Sequence, residues 1–440
     1  MAITGAALID GSGAPPVRNA VVVIQDGLVI CAGSESECPL EEGTSTLDAT
    51  GRWLTPGLID SHIHWQIWYD GDRRLSPATA ARAARVYLAN GITTVVDVGG
   101  QRWVGPEHRQ VLGELARSGA PAPRMLFSGW IDRATVDETE SKDARLLARD
   151  LLASGVDGIK IRDGLSPSEY EVIVAEADRA GRPVYGHTYF MGDREFIDYT
   201  AEAAVAGVDG VFHVLGIPPV ASGQEPLLPM VPMDDWEAWW LAGAALWSHT
   251  SQESMDELIG VMVDHDTWLQ PTLVSEWGLI EPGYFRDHPS WTHSPISREA
   301  LRAGSPVYEG EELEQYRAAY RQMQRFVLRF QEAGGMLLAG TDGLPVPGFG
   351  LQEEMGLLAE AGVPPMVVLQ SATRNAAAAW HWLDRIGTLE AGRAADLLIL
   401  EGDPLEEMDN LKRIWRVMKG GIIYDPESLL AESDSTQGNL

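Results

Sequence analysis

The chain has 440 residues, 45% of them hydrophobic and 22% charged, with a formal net charge of -31. That length exceeds one minimal core and suits a large α/β domain with a smaller companion. The negative charge repels phosphate backbones and anionic lipid, and no stretch approaches the ~18 apolar residues of a membrane span, so neither nucleic acid nor membrane is expected as a partner.

Met1-Ala2-Ile3-Thr4 carries no basic or apolar leader and runs straight into a strand-like segment, so a cytoplasmic location is expected. Runs at 6–11, 20–27 and 28–30 read as short strands, and Asp26-Gly27 between two β-branched runs marks a hairpin. Cys31 and Cys38 follow in a turn-rich stretch; two thiols make no disulfide framework for this length, and reduced structural cysteines are expected.

From residue 58 to 385, eight short apolar runs alternate with helix-like stretches: 57–60, 93–98, 125–128, 158–161, 184–186, 210–214, 267–273 and 336–341. Of helical stretches such as 77–90, 142–154, 168–180 and 193–206, several open on Ser, Asp or Pro and close on Gly. This alternation predicts an α/β fold of the (β/α)8 TIM barrel type, with chemistry at the C-terminal strand ends. Residues 216–300 hold seven of the 15 tryptophans and are too long for a barrel loop, which predicts a helix-bearing insertion over the mouth. Residues 386–432 are β-rich like 1–57. Together the two ends predict a small composite β-sandwich domain, and 433–440 reads as a disordered tail.

Lys160 lies between Ile159 and Ile161, so its stem is expected to be buried and its charge paired, neutralised or chemically altered. Metal-type ligands stand near other strand ends: His62 and His64, His187, His213 and Asp342. Two histidines separated by one residue at a strand end point to the same side and can reach one ion. Each residue also has a plainer reading. His187 suits a hydrogen-bonded core position, Lys160 an ion pair with Asp157 or Asp163, and Asp342 a cap on the turn at Gly343. His249, His265, His288, His293 and His381 lack strand-end context and read as surface or packing residues. No Gly-x-Ser-x-Gly elbow or His-Glu-x-x-His is present, which leaves serine-hydrolase and zincin chemistry without support.

The run from Leu54 to His64, ending in His-Ile-His, closely resembles the first barrel strand of the amidohydrolase superfamily. Residues 91–97 resemble its second strand, Ala339-Gly340-Thr341-Asp342 its eighth, and 387–396 the return into the terminal β domain, so the likeness spans nearly the whole chain. The resemblance implies a binuclear metal-dependent hydrolase. His62 and His64 match ligands of the more buried metal, His187 and His213 those of the second, and Lys160 the carboxylated lysine that bridges both. Asp342 matches the aspartate that binds metal and acts as general base. A carbamylated Lys160 is an anion with two oxygens, able to span two divalent ions, and the donor set favours zinc. The implied mechanism is attack by a metal-bridging hydroxide, with Asp342 passing a proton to the leaving amine.

The wording of the motifs is most similar to imidazolonepropionase-like and prolidase-like members. The bridging lysine favours amide or peptide hydrolysis of a dipeptide or N-acyl amino acid over imidazolone ring opening, and hydrolysis of a cyclic amide, lactone or ester at the same site is the alternative. An inactive metal-binding assembly subunit is the third reading. Two departures bear on substrate: Phe212 precedes His213 where Glu-His-Gly is frequent, and Ser128-Gly129-Trp130 stands where Gly-His-Gly is common. Arg133, Arg162 and Tyr189 are candidates for holding a substrate carboxylate, and Trp65 for lining an aromatic mouth. A small-molecule substrate and a homo-oligomeric state are expected.

Overall fold

Asp26 and Gly27 both adopt positive φ, 51° and 77°, and turn β2 (Val17–Gln25) back onto β3 (Leu28–Ser34), as the hairpin signal requires. This computed structural model describes residues 1–65, 75–99, 106–162, 164–187, 200–217, 236–281, 308–343 and 348–435. The hairpin joins β1 (Ala2–Leu8), β4 (Thr46–Asp48) and β5 (Trp53–Pro56). β5 in turn pairs with a strand from the far end of the chain, Leu397–Leu400. Strands from both termini therefore form one eight-stranded sheet. Ile3, Leu8, Val22 and Leu54 pack with Leu397, Ile399 and Met418 in its core.

A second sheet holds β6 (Leu58–Ile63), β7 (Ile92–Asp97), β8 (Arg124–Ile131), β9 (Gly158–Ile161), β10 (Val184–His187), β11 (Gly210–Phe212) and β12 (Trp268–Gln270), in that order. All its pairings are parallel, because a helix separates most successive strands. Those helices start as their sequences dictate. Ser76 accepts from the Thr79 amide ahead of Pro77, and Ser166 forms a capping box with Glu169 before Pro167.

The eighth apolar run lies between the two sheet edges. Leu269 N–H donates to Met336 O at 3.0 Å and Leu338 N–H to Leu269 O at 2.9 Å, while Thr341 N–H donates to His62 O at 3.3 Å. It makes one isolated bridge, Leu269 to Leu337, because the Ala339 and Ile59 amides go instead to the Ser371 and Ala372 carbonyls. The curled parallel sheet fits a TIM-like barrel.

The remaining strands, β13 (Leu397–Leu400), β14 (Ile414–Lys419) and β15 (Ile422–Tyr424), complete the terminal sheet. A charge network centred on the buried Asp396 ties it to the barrel. Asp396 accepts from Arg124 Nη1 of β8 at 2.7 Å, from Lys419 Nζ of β14 at 3.2 Å and from the Gly420 amide at 2.7 Å.

One sequence expectation needs correction. Cys31 and Cys38 form a disulfide, because the turn closed by the Glu37 and Cys38 amides on Ser34 O brings their Cα atoms to 5.6 Å. The helix Pro426–Ser435 continues into the expected tail, capped by Asp425 on the Ser428 amide and held by buried Leu429. Within the expected insertion, residues 252–280 supply the helix Gln252–Asp264, β12 and the helix Leu273–Ile280 of the barrel's own alternation. Among the described residues, no helix is long and apolar enough to cross a membrane.

Candidate metal centre

The strand ends bring together every ligand candidate. His62 and His64 leave β6, Lys160 sits in β9, His187 ends β10, His213 follows β11, and Asp342 follows the eighth run. The ligand atoms of His62, His187 and His213 lie within 4.8 Å of one another, as do those of His62, His64 and Asp342. Asp342 Oδ1 is 3.1 Å from His62 Nε2 and 2.9 Å from His64 Nε2. Lys160 Nζ is 3.5 Å from His62 Nε2, with the rings of Trp130 and Phe212 flanking it at 5.2 and 5.3 Å. His213 and Asp342 have φ of 63° and 56°, left-handed values uncommon outside glycine, a form of local strain that clusters at functional sites.

Burial sets the protonation states. It pushes the Lys160 amine down to about 7, opposed by Asp342 and assisted by Arg162. Burial also holds His62 and His187 well below the usual imidazole value, with Lys160 adding to the effect, and takes His213 to about 4. Burial disfavours the charge on Asp342, but His62 and His213 outweigh it and keep the carboxyl well below the usual carboxylate range.

Burial thus favours the neutral forms of His62, His187 and His213, the forms that metal ligation needs. The second ring nitrogens support this reading. His64 Nδ1 meets Gly99 O, which can only accept, so Nδ1 carries a proton and Nε2 is the nitrogen turned toward Asp342. Thr272 Oγ1 gives its proton to Pro271 O at 2.7 Å and accepts from His213 Nδ1 at 2.7 Å, so His213 keeps Nε2 free of a proton. Asp342 Oδ1 and the Nε2 atoms of His62 and His64 thus converge on one point. The residues fit a divalent metal.

The plainer readings fare differently. Asp157 is engaged by the Phe127 amide and Arg182, and Asp163 lies outside the described residues. The turn at Gly343 is bonded by Thr341 Oγ1, which leaves Asp342 free of that duty.

Of the expected substrate contacts, Tyr189 lies outside the described residues. Arg162 is buried, with its guanidinium 5.6 Å from the Trp130 ring. Arg133 is paired with Glu169 and sits 3.8 Å from Asp137. Trp65 is fully buried and packs edge-on against Tyr87 at 5.6 Å, within the hydrophobic core.

The sequence reading missed the residues that hold the ligands. Gln270 bonds His62 Nδ1 at 2.8 Å, Thr272 bonds His213, and Asp60 accepts from the Thr341 hydroxyl at 2.9 Å and from the His62 amide. Burial raises the Asp60 carboxyl to about 7 against those bonds. Asp97 accepts from the Gly99 amide and lies 3.3 Å from His108, a histidine the strand-end search passed over. Gln270 ends β12 and Thr272 lies two residues beyond it, strand-end positions like those of the ligand candidates, and that position was the available signal.

The family model described as "Amidohydrolase family" matches residues 53–276 and 292–423. The chain belongs to the amidohydrolase family. An imidazolonepropionase of Methylobacterium nodulans is 26% identical over 252 residues, which is 44% of this amidohydrolase and 62% of that protein. The chain spans less than two thirds of the length of the curated relatives it matches. Among solved structures, a Xaa-Pro dipeptidase with bound methionine aligns over 96% of this chain and 99% of its own, with TM-score 0.67 and 20% identity. A prolidase complexed with N-methylphosphonate-L-proline aligns over 96% and 99%, with TM-score 0.66 and 18% identity. At those identities the likeness speaks for the fold.

Proposed function

We propose that this amidohydrolase is a metal-dependent hydrolase of carbon–nitrogen bonds that cleaves a dipeptide or N-acyl amino acid at a site built for two divalent ions, zinc foremost. The observation that carries the reading is the meeting of His62, His64, His187, His213, Lys160 and Asp342 at one end of the parallel sheet. In this reading His62, His64 and Asp342 would hold one ion, His187 and His213 the other, and a carbamylated Lys160 would serve both. Bound metal supplies an activated water and a polarised carbonyl near neutral pH.

The chain's own groups do the rest. With its amine brought to about 7, Lys160 has a free-base fraction able to add CO2 as the carbamate. Asp342, held ionised beside two imidazoles, takes the proton of the attacking water and returns it to the leaving amine. Arg162, buried beside Trp130, is placed to meet a substrate carboxylate, with Tyr189 as a second candidate. Arg133 and Trp65 are assigned to an ion pair and to packing.

The imidazolonepropionase relatives favour a second reading, opening of a cyclic amide at the same site. Metal analysis joined to a hydrolysis screen of N-acyl amino acids and dipeptides against cyclic amides, lactones and esters separates the two. Turnover of the cyclic substrates alone refutes the first.

We read 1–57 and 386–432 as one sandwich domain around the barrel, supported by bonds from Val29 to Arg393 and from Ala395 to Gly27 that join the β2–β3 hairpin to the segment leading into β13. The expected homo-oligomer is tested by sedimentation. The expected cytoplasmic location stands against the Cys31–Cys38 disulfide, which reducing compartments seldom hold, and thiol titration of freshly extracted protein decides it.

A further inference from the structure

β12 ends at Gln270, and neither β12 nor the loop after it supplies a candidate ligand. Yet two residues of this stretch grip ligands from two other strands: Gln270 bonds His62 near the end of β6, and Thr272 bonds His213 just beyond β11. The direction of the bonds around Gln270 follows from the groups that have no choice. The Ala339 carbonyl only accepts, and Ser61 Oγ gives it its single proton at 2.7 Å. The lone pair left on Ser61 Oγ accepts from Gln270 Nε2 at 2.7 Å. The amino end of the carboxamide therefore faces Ser61 and Ala339, and Oε1 faces His62 Nδ1 at 2.8 Å. An acceptor there requires Nδ1 to carry the ring proton, which leaves the Nε2 lone pair for the site. Gly340 gives the carboxamide its room, since a Cβ there would lie 2.4 Å from Gln270 Nε2.

We infer that Gln270 is a positioning residue that locks His62 in its Nδ1–H form and so presents Nε2 to the metal. The inference rests on the metal-site reading above and deepens it. Gln270→Leu removes the acceptor while keeping much of the volume, and Gln270→Glu keeps an acceptor toward His62.

Two readouts apply to all three proteins, with thermal melts to confirm folding: zinc affinity by chelator competition, and long-range ¹⁵N–¹H NMR of the histidine rings in metal-free protein. Gln270→Leu is expected to weaken zinc binding by about 10–100-fold and to let the His62 tautomer become mixed, with Gln270→Glu staying close to the parent. Equal affinity and an unchanged tautomer in Gln270→Leu would overturn the inference. So would an equal loss in both variants, since the acceptor would then not be the cause. If the parent takes up no zinc, the metal-site reading fails, and the NMR still decides the role of Gln270. An Nδ1–H tautomer lost in Gln270→Leu supports the role, and an Nε2–H tautomer in the parent overturns it.

Discussion

Glu354 offers a test of how burial governs this protein's charged interior. Its carboxyl lies wholly inside, on the helix Gly350–Glu360, and Oε2 accepts from the Val274 amide at 2.7 Å at the start of the helix Leu273–Ile280. Burial pushes it from an ordinary 4.5 up to about 8, with the Val274 and Leu273 amides opposing and the Asp60 and Glu276 charges assisting. A carboxyl raised on folding binds its proton more tightly in the native state. The stability it contributes is therefore complete below about 4.5 and is lost as pH rises through about 8. At ~1.4 kcal/mol per pH unit, the loss across that window is on the order of 4 kcal/mol.

Glu354→Gln keeps an acceptor for Val274 and cannot ionise. Urea unfolding at closely spaced pH values should show parent and variant differing least near pH ~4.5, with the variant gaining about 3 kcal/mol on the parent between pH ~5.5 and ~8.5. Stability curves that stay parallel across the window would refute the reasoning.

Asp342→Asn removes the proposed proton acceptor, and kcat should fall by roughly 10²–10⁴-fold while metal content by elemental analysis persists; unchanged turnover would exclude Asp342 as the base. Lys160→Met should lower bound metal from two ions to one and abolish the mass increment of one CO2 expected on the native parent. A parent without that increment, or a variant that still binds two ions, counts against the carbamate. Asp396→Ala leaves Arg124 and Lys419 facing each other without their anion and the Gly420 amide without its acceptor, so urea unfolding should show a loss of about 3 kcal/mol. A loss below about 0.5 kcal/mol, the size of a surface change, would mean that the network is not holding the terminal sheet to the barrel.

The sequence made the ligand positions readable because a strand end fixes direction: each histidine candidate follows an apolar run, and His62 and His64 share a side by strand alternation. The hairpin at Asp26-Gly27 was equally local, since only that pair's positive φ values were required. What escaped depends on contacts made across the fold. Gln270 became informative only once β12 lay within reach of His62, and nothing in the sequence foretold that Tyr87, on the expected helix 77–90, would pack against Trp65. The eighth run looked like an ordinary strand, but its Ala339 amide bonds Ser371 instead of a neighbouring strand. Counting two cysteines could not anticipate that a short turn would bring them together.

The measurement that bears most directly on the central claim is anomalous X-ray diffraction from zinc-loaded crystals at the zinc absorption edge. The account predicts two peaks, one among His62, His64 and Asp342 and one beside His187 and His213, with Lys160 between them. Peaks elsewhere, or none near these side chains, would contradict it.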